Sequence, residues 1–282
     1  MVLFGTTAAA LGTHSEIPNL KKSDLPAVSG VREVFSQLRE TLADRSILSL
    51  VTAAILNGTA SGAINVLWVY LMSYYWELES WHMSWMMFSQ IASPLIGYAI
   101  TPLLANRHDK RSVQIWISLV SIVAYSAPFA LRAMDLFPDN GHPFVFPFLL
   151  VNGVLGGVLG VISWTINASM LMDIVEAREV ETGRREEGVL AAMQAFVRKA
   201  SMALGTLVGG LALDFIAFPV QTAVGEVPEE AIARLGLLYG PILAILYFAA
   251  IAMLYFYRID RHTHLRNIAQ LESRASASQE PS

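Results

Sequence analysis

The chain has 282 residues, 54% of them hydrophobic and only 15% charged, with 19 Lys and Arg against 23 Asp and Glu for a formal net charge of -4. Soluble domains carry about 25% charged residues, so this deficit argues against a water-soluble or disordered chain and makes lipid the main solvent. A pI near 5.9 and basic residues in short scattered clusters offer no field for a polyanion, so no nucleic-acid partner is expected. The absence of Cys removes disulfides, thiolate nucleophiles and cysteine metal sites.

In chain order, residues 1–12 (MVLFGTTAAALG) are apolar but too short to span a bilayer, and they lack the positive n-region of a signal peptide, so they read as the cut end of a helix. The segment from Thr13 to Arg45 is polar. Within it Val31, Val34, Phe35, Leu38 and Leu42 fall at helical spacing, which predicts an amphipathic helix on the cytoplasmic face. Six apolar runs follow, each about the 20 or more residues that a hydrocarbon core of about 30 Å requires. They are Ile47 to Tyr75, His82 to Leu104, Val113 to Met134, Phe144 to Met172, Val189 to Phe218 and Leu235 to Tyr257. Their polar residues are mostly Ser, Thr, Asn and Gly, which a helix bundle tolerates in lipid. The fold class is therefore an all-α membrane protein with six transmembrane helices. Three regions result: 1–45, a helix end and cytoplasmic loop; 46–258, the bundle; and 259–282, a charged then Ser-rich cytoplasmic tail beginning as a short helix.

Basic residues set the orientation, because cytoplasmic loops keep the positive excess. Lys21, Lys22, Arg32, Arg39, Arg45, Arg107, Lys110, Arg111, Arg178, Arg184, Arg185, Arg258, Arg261, Arg266 and Arg274 fall on one side, against Arg132 and Arg234 on the other. Both termini are expected in the cytoplasm of a multi-pass protein.

Gly58 and Gly62, Gly153 and Gly157, Gly156 and Gly160, and Gly205 and Gly209 are small-xxx-small pairs, which read as close helix contacts or as surfaces that slide in a moving bundle. Arg198 and Lys199 lie inside the fifth run. A charge at a helix centre costs about 2.5 to 3.5 kcal/mol, so such residues face a water-filled cavity or an acidic partner and mark substrate or ion paths. Lys199 lies ten residues, about 15 Å, into its helix, where snorkelling is difficult. Asp173 and Glu176 sit at the cytoplasmic end of the fourth run, and Asp214 is about 23 Å from Lys199, near the outer end. None matches the depth of the pair, which leaves an anionic ligand, carboxylates from another polypeptide segment, or a positional charge facing a wet crevice. Trp164 lies at a similar depth, about 14 Å from Asp173. With the amide of Gln194 and a cation it would suit a sugar, whose apolar face stacks on indole; the alternative is a packing or lipid-facing Trp. No soluble-enzyme motif occurs, and His262 and His264, at i and i+2, fall on different helix faces, so no catalytic residue and no metal site is expected.

The run SMLMDIVEAREVETGRREEGVLAAMQAFVRKASMALGTLVGG, with its DIV, TGRR and FVRK pieces, resembles the stretch joining helices ten and eleven in the glycoside-pentoside-hexuronide:cation symporters, the melibiose-permease type of the major facilitator superfamily. GTHSEIPNL, from Gly12, is similar to the start of that family's central loop, and Leu237 to Tyr257 to its last helix, so the resemblance covers nearly the whole chain. It implies the C-terminal half of a twelve-helix transporter in the cell (inner) membrane, with residues 1–11 the tail of helix six and an N-terminal six-helix half as partner. The implied function is secondary active transport, cation-coupled symport of a sugar or glycoside-like small molecule, with no enzymatic step. No tightly bound cofactor is implied; the coupling cation, Na+ or H+, would bind mainly to carboxylates of the N-terminal half. By motif position Lys199 matches the family's lysine at the cation and sugar site, and Gln194 and Trp164 match sugar-proximal positions. Arg198 replaces an apolar residue, which makes an acidic sugar or another anion a candidate solute, and Ala195 stands where a hydroxyl residue is familiar, removing one hydrogen bond. Asp173, Glu176, Arg185 and Glu187 resemble the family's cytoplasmic gate network; the alternative is a solvated loop with positive-inside charge. Two rivals stand beside this reading: a split or truncated half with no transport of its own, acting as interaction partner of a separate N-terminal half, and a membrane transferase acting on lipid-linked sugars.

Overall fold

The computed structural model describes residues 2–14, 45–182, 187–219, 222–257 and 261–277. The amphipathic segment around Val31 to Leu42 and Arg185 lie outside them. The chain divides into two units, Met1–Glu40 and Thr41–Ser282. In the first, helix α1 is Val2–Thr13. In the second, the described elements are α2 (Arg45–Tyr70, continued by a π-helical turn Leu71–Tyr75), α3 (Ser80–Arg107), α4 (Lys110–Ala133), α5 (Val145–Thr182), α6 (Glu187–Phe215), α7 (Glu229–Leu254) and α8 (Arg261–Ala277). Six of them, α2 to α7, are long and apolar enough to cross a membrane.

The observed helices overlap the six apolar runs, with one marked difference. α5 runs to Thr182 rather than stopping at Met172. Its 38 residues reach about 57 Å, far beyond a hydrocarbon core of about 30 Å. Hydropathy ends at Asp173, but the Glu-Ala-Arg-Glu run from Glu176 is made of good helix formers, and its charged residues are half-buried. α8 packs against α5.

The helix contacts repeat. α2 lies against α6 as α3 lies against α5, α2 meets α7 as α5 meets α4, and α4 meets α7. This pattern maps the first three helices onto the last three, the mark of an internal structural repeat. The sequence carries the same relation at the closest contacts. Asn57-Gly58 with Gly62 on α2 corresponds to Asn152-Gly153 with Gly157 on α5. Gly58 abuts Ser201, Gly62 abuts Gly205, and Gly209 abuts Val66; on the other side Gly153 abuts Ser89, Gly157 abuts Ser93, and Gly97 abuts Val161. A Cβ at Gly62 would lie 2.5 Å from the Met202 carbonyl oxygen and 2.9 Å from the Gly205 Cα, so only glycine lets these backbones meet.

Lipid contributes no hydrophobic driving force between helices, and the polar residues must be satisfied internally. They are satisfied largely by their own helices. Thr52, Thr59, Ser61 and Thr101 each donate to the carbonyl four residues back at 2.7–3.0 Å. Outward positions such as Met87, Phe88, Ile91 and Leu95 on α3 are exposed apolar groups suited to acyl chains. A cluster of buried hydrophobic residues including Leu67, Leu71, Trp76, Phe129, Leu149, Leu235, Tyr239 and Leu243 forms the core of the bundle. There Arg132 stacks over Tyr75 and Trp76, 4.8 and 5.1 Å from their ring centroids. Arg132 and Asn140 both donate to the Tyr75 carbonyl at 3.1 Å, satisfying an acceptor at the end of the π turn.

Candidate functional site

A cavity of about 340 Å³ opens among α2, α4, α5, α6 and α7. Helical periodicity builds its wall. On α6 the lining positions are Gln194, Val197, Arg198, Ser201 and Met202; on α5 they include Gly160, Ser163, Trp164 and Asn167; on α2 they are Ala54, Asn57, Gly58 and Ser61. Each set follows the i, i+3, i+4, i+7 spacing of one helix face. α4 adds Ile117, Ser118, Ser121 and Tyr125, and α7 adds Tyr247. At Gly160 a Cβ would meet nothing within 4 Å, so this glycine keeps space open rather than sealing a contact, unlike Gly62.

The structure brings Trp164, Gln194 and Arg198 together on this wall. The Arg198 guanidinium lies over the Trp164 ring, 5.4 Å from its centroid, within cation–π range. Lys199 is exposed and lies outside the lining. At about 100° per residue, Arg198, four residues beyond Gln194, is turned only about 40° from it, whereas Lys199, five residues beyond, is turned about 140° and falls off the lining stripe. Among the described residues no carboxylate forms an ion pair with Arg198 or Lys199.

Several polar groups around the cavity keep unused capacity. Asn57 and Asn167 donate their side-chain amides to the carbonyls of Ala53 and Ser163 at 3.0 and 2.9 Å. Their Oδ1 atoms, with Ser118 Oγ and Gln114 Oε1, are buried and have no hydrogen-bond partner among the described residues. Gln114 is fully buried and donates its amide to Ser163 Oγ at 2.7 Å. The Tyr125 hydroxyl donates to the Gly156 carbonyl at 3.1 Å.

A second cluster forms where α4 begins and α5 leaves the apolar region. Lys110 Nζ pairs with Asp173 Oδ1 at 2.6 Å, and Asp173 is 4% exposed. The Tyr257 hydroxyl donates to the Met170 carbonyl at 3.3 Å. Burial first, and then the carboxylates of Asp173 and Asp109, push the Tyr257 phenol above its ordinary value. Arg111 donates to the Tyr255 carbonyl at 3.0 Å and stacks on the Tyr255 ring. Glu176 lies on the same α5 extension as Asp173, and Glu187 opens α6 with its side chain outside the description. Sequence reasoning counted Lys110 only toward orientation. Its position beside Asp109 at the start of a span is the signal that could have singled it out.

The family model described as MFS/sugar transport protein matches residues 1–261. The chain belongs to that family. It is thus a multi-pass membrane protein of a transporter family rather than an enzyme family. Among its relatives, an uncharacterized symporter of Synechocystis sp. is 22% identical over 96% of this chain and 48% of its own length. A putative 2,3-dihydroxypropane-1-sulfonate exporter of Salmonella typhimurium is 25% identical over 68% of this chain and 39% of its own. An uncharacterized symporter of Bacillus subtilis is 25% identical over 85% of this chain and 49% of its own. The chain spans about half the length of these relatives or less.

Proposed function

We propose that this chain forms the C-terminal half of a cation-coupled symporter of the melibiose-permease type, and that its solute is a sugar or glycoside-like molecule carrying an acidic group. The observation that carries this reading is the Arg198 guanidinium held over Trp164 on the cavity wall, with no carboxylate of the described residues lining it. An indole face suits the apolar face of a sugar ring, and a planar guanidinium suits a carboxylate or sulfonate bidentately. The solute in the name of the Salmonella relative is a dihydroxylated sulfonate, an acid of the kind a guanidinium binds.

In this reading an N-terminal six-helix half closes over the cavity and supplies the carboxylates for Na+ or H+. The two halves rock about the solute to expose it to either side. Lys199, exposed beside the cavity, then faces that half and its carboxylates. The Lys110–Asp173 cluster, with Glu176, Arg185 and Glu187, belongs to the cytoplasmic gate of a protein in the inner membrane with both termini cytoplasmic.

The test is counterflow of radiolabelled D-glucuronate and D-glucose in membrane vesicles carrying both halves. Arg198→Met is expected to lower D-glucuronate counterflow at least about tenfold, the loss of one charge-assisted contact, while sparing D-glucose. Equal effects on the two sugars would refute the acidic solute. Unchanged transport in Lys199→Ala would remove Lys199 from the site.

A further inference from the structure

Resting on the reading of this cavity as the solute site, we infer that Tyr125 limits the length of the solute, because its ring divides one gap between helices into the solute cavity and a closed apolar chamber beyond. The chamber, of about 60 Å³, lies among α2, α3, α4, α5 and α7. Among the described residues, Tyr125 is the one that lines both spaces.

Helical periodicity makes the two spaces segments of a single gap. On α2 the lining face that ends at Ser61 in the cavity resumes at Ile64 and Trp68 in the chamber. On α4 the face passes from Ser121 through Tyr125 to Pro128. α5 runs the other way, and its Gly153 and Leu149 face the chamber seven and eleven residues before Gly160 of the cavity. The turn skipped on α5 holds Gly156, and the Tyr125 ring is seated there. A Cβ at Gly156 would lie 2.9 Å from Tyr125 Cε1 and from its hydroxyl oxygen, so only glycine leaves room for the ring. The hydroxyl donates to the Gly156 carbonyl at 3.1 Å, which pins the ring across the gap from α4 to α5.

The far end of the chamber is shut. Trp76 and Phe129 line it, both are buried, and their rings stand 5.6 Å apart. Buried Leu71, Met86 and Leu149 complete a largely apolar wall. Protein interiors hold few voids larger than a water molecule, and atoms lining one lose dispersion partners on that side. The ring of Tyr125 thus stops a solute that is held by Arg198, while the space behind it offers only burial of apolar surface. Removing the ring joins the two spaces and makes room for an acid that carries an aromatic substituent.

Two measurements on vesicles carrying both halves test this. The first needs no solute: this chain has no Cys, so one introduced thiol reports access of a charged, membrane-impermeant methanethiosulfonate, read as the mass shift of this chain. Ser61→Cys, on the cavity side, is expected to react whether or not Tyr125→Ala is present. Leu149→Cys, in the chamber, is expected to react at least about tenfold faster when Tyr125→Ala accompanies it. Equal rates for Leu149→Cys in the two backgrounds overturn the partition, and an unreactive Ser61→Cys overturns the reading of the cavity as open to water. The second measures equilibrium binding of D-glucuronate and of phenyl β-D-glucuronide. Tyr125→Ala is expected to shift the affinity ratio toward the phenyl compound at least about tenfold, the worth of burying one aromatic ring. Tyr125→Phe, which keeps the ring and loses the hydrogen bond, should hold the wild-type ratio, and Tyr125→Leu should shift it in the same direction as Tyr125→Ala if the latter fails to fold. A ratio that stays put when the ring is removed, or moves as far in Tyr125→Phe, overturns the inference. Failure of the wild type to bind either acid overturns the solute-site reading, while the thiol rates still decide the partition.

Discussion

The Arg198 guanidinium carbon lies 5.4 Å from the centroid of the Trp164 ring and ties α6 to α5 across the cavity wall. Trp164 is 47% exposed, so a solute can share the indole surface with the guanidinium. Trp164→Ala removes a cation–π contact of about 0.5–2 kcal/mol and frees the arginine to move. The expected outcome in the same counterflow assay is a higher half-saturating concentration for D-glucuronate. Arg198→Lys should restore little of what Arg198→Met loses, because an ammonium cannot stack or bind an acid bidentately.

Two glycines of similar appearance should respond in opposite ways. A Cβ at Gly205 would collide with the Thr59 carbonyl and lie 2.7 Å from the Gly62 Cα, all backbone atoms with no freedom to give. Gly205→Val is expected to destabilise by about 1–3 kcal/mol or more through forced separation of α2 and α6. Gly160→Ala meets no atom within 4 Å and should stabilise the helix by up to about 1 kcal/mol while reducing cavity volume. Thermal midpoints in detergent measure both.

The pair Lys110–Asp173 fixes the start of α4 to α5. Removing one partner of a fully buried pair costs about 3–5 kcal/mol; the Lys110 side chain keeps 20% exposure, so about 2–3 kcal/mol is expected for Lys110→Ala. The double variant Lys110→Met with Asp173→Asn should be less destabilised than Lys110→Ala, because it leaves no charged carboxylate beside an absent lysine. Chemical denaturation of the single and double variants measures the difference.

Tyr257 gives a pH prediction. Its phenol is raised above the ordinary value of 10.0 by burial and by Asp173 and Asp109. With the folded value above the unfolded one, the unfolded chain releases its proton first as pH rises past about 10, and stability falls from there upward. Below pH 10 that contribution is fully present. Tyr257→Phe, which cannot ionise, should lose the Met170 hydrogen bond at neutral pH and yet show a shallower decline between pH 10 and 11. Thermal midpoints across pH 8 to 11 for both proteins check the slope.

The six spans were legible because lipid demands about 20 consecutive apolar residues, a signal local in sequence. The small-xxx-small pairs announced close helix contacts for the same reason: Gly58, Gly62, Gly205 and Gly209 recur at one helical face. The end of α5 was not legible, since hydropathy measures the bilayer boundary and not the helix boundary. Lys110 was overlooked because its partner, Asp173, is distant in sequence and meets it only when α4 packs on α5.

The sequence by itself determined the solvent, the helix count and the presence of two cations inside a span, because each depends on composition within one window. Which cation lines the cavity depends on helix rotation, which packing against the neighbouring helices sets, and tertiary structure gave that place to Arg198. The same packing decided that Gly62 seals a contact while Gly160 opens a space.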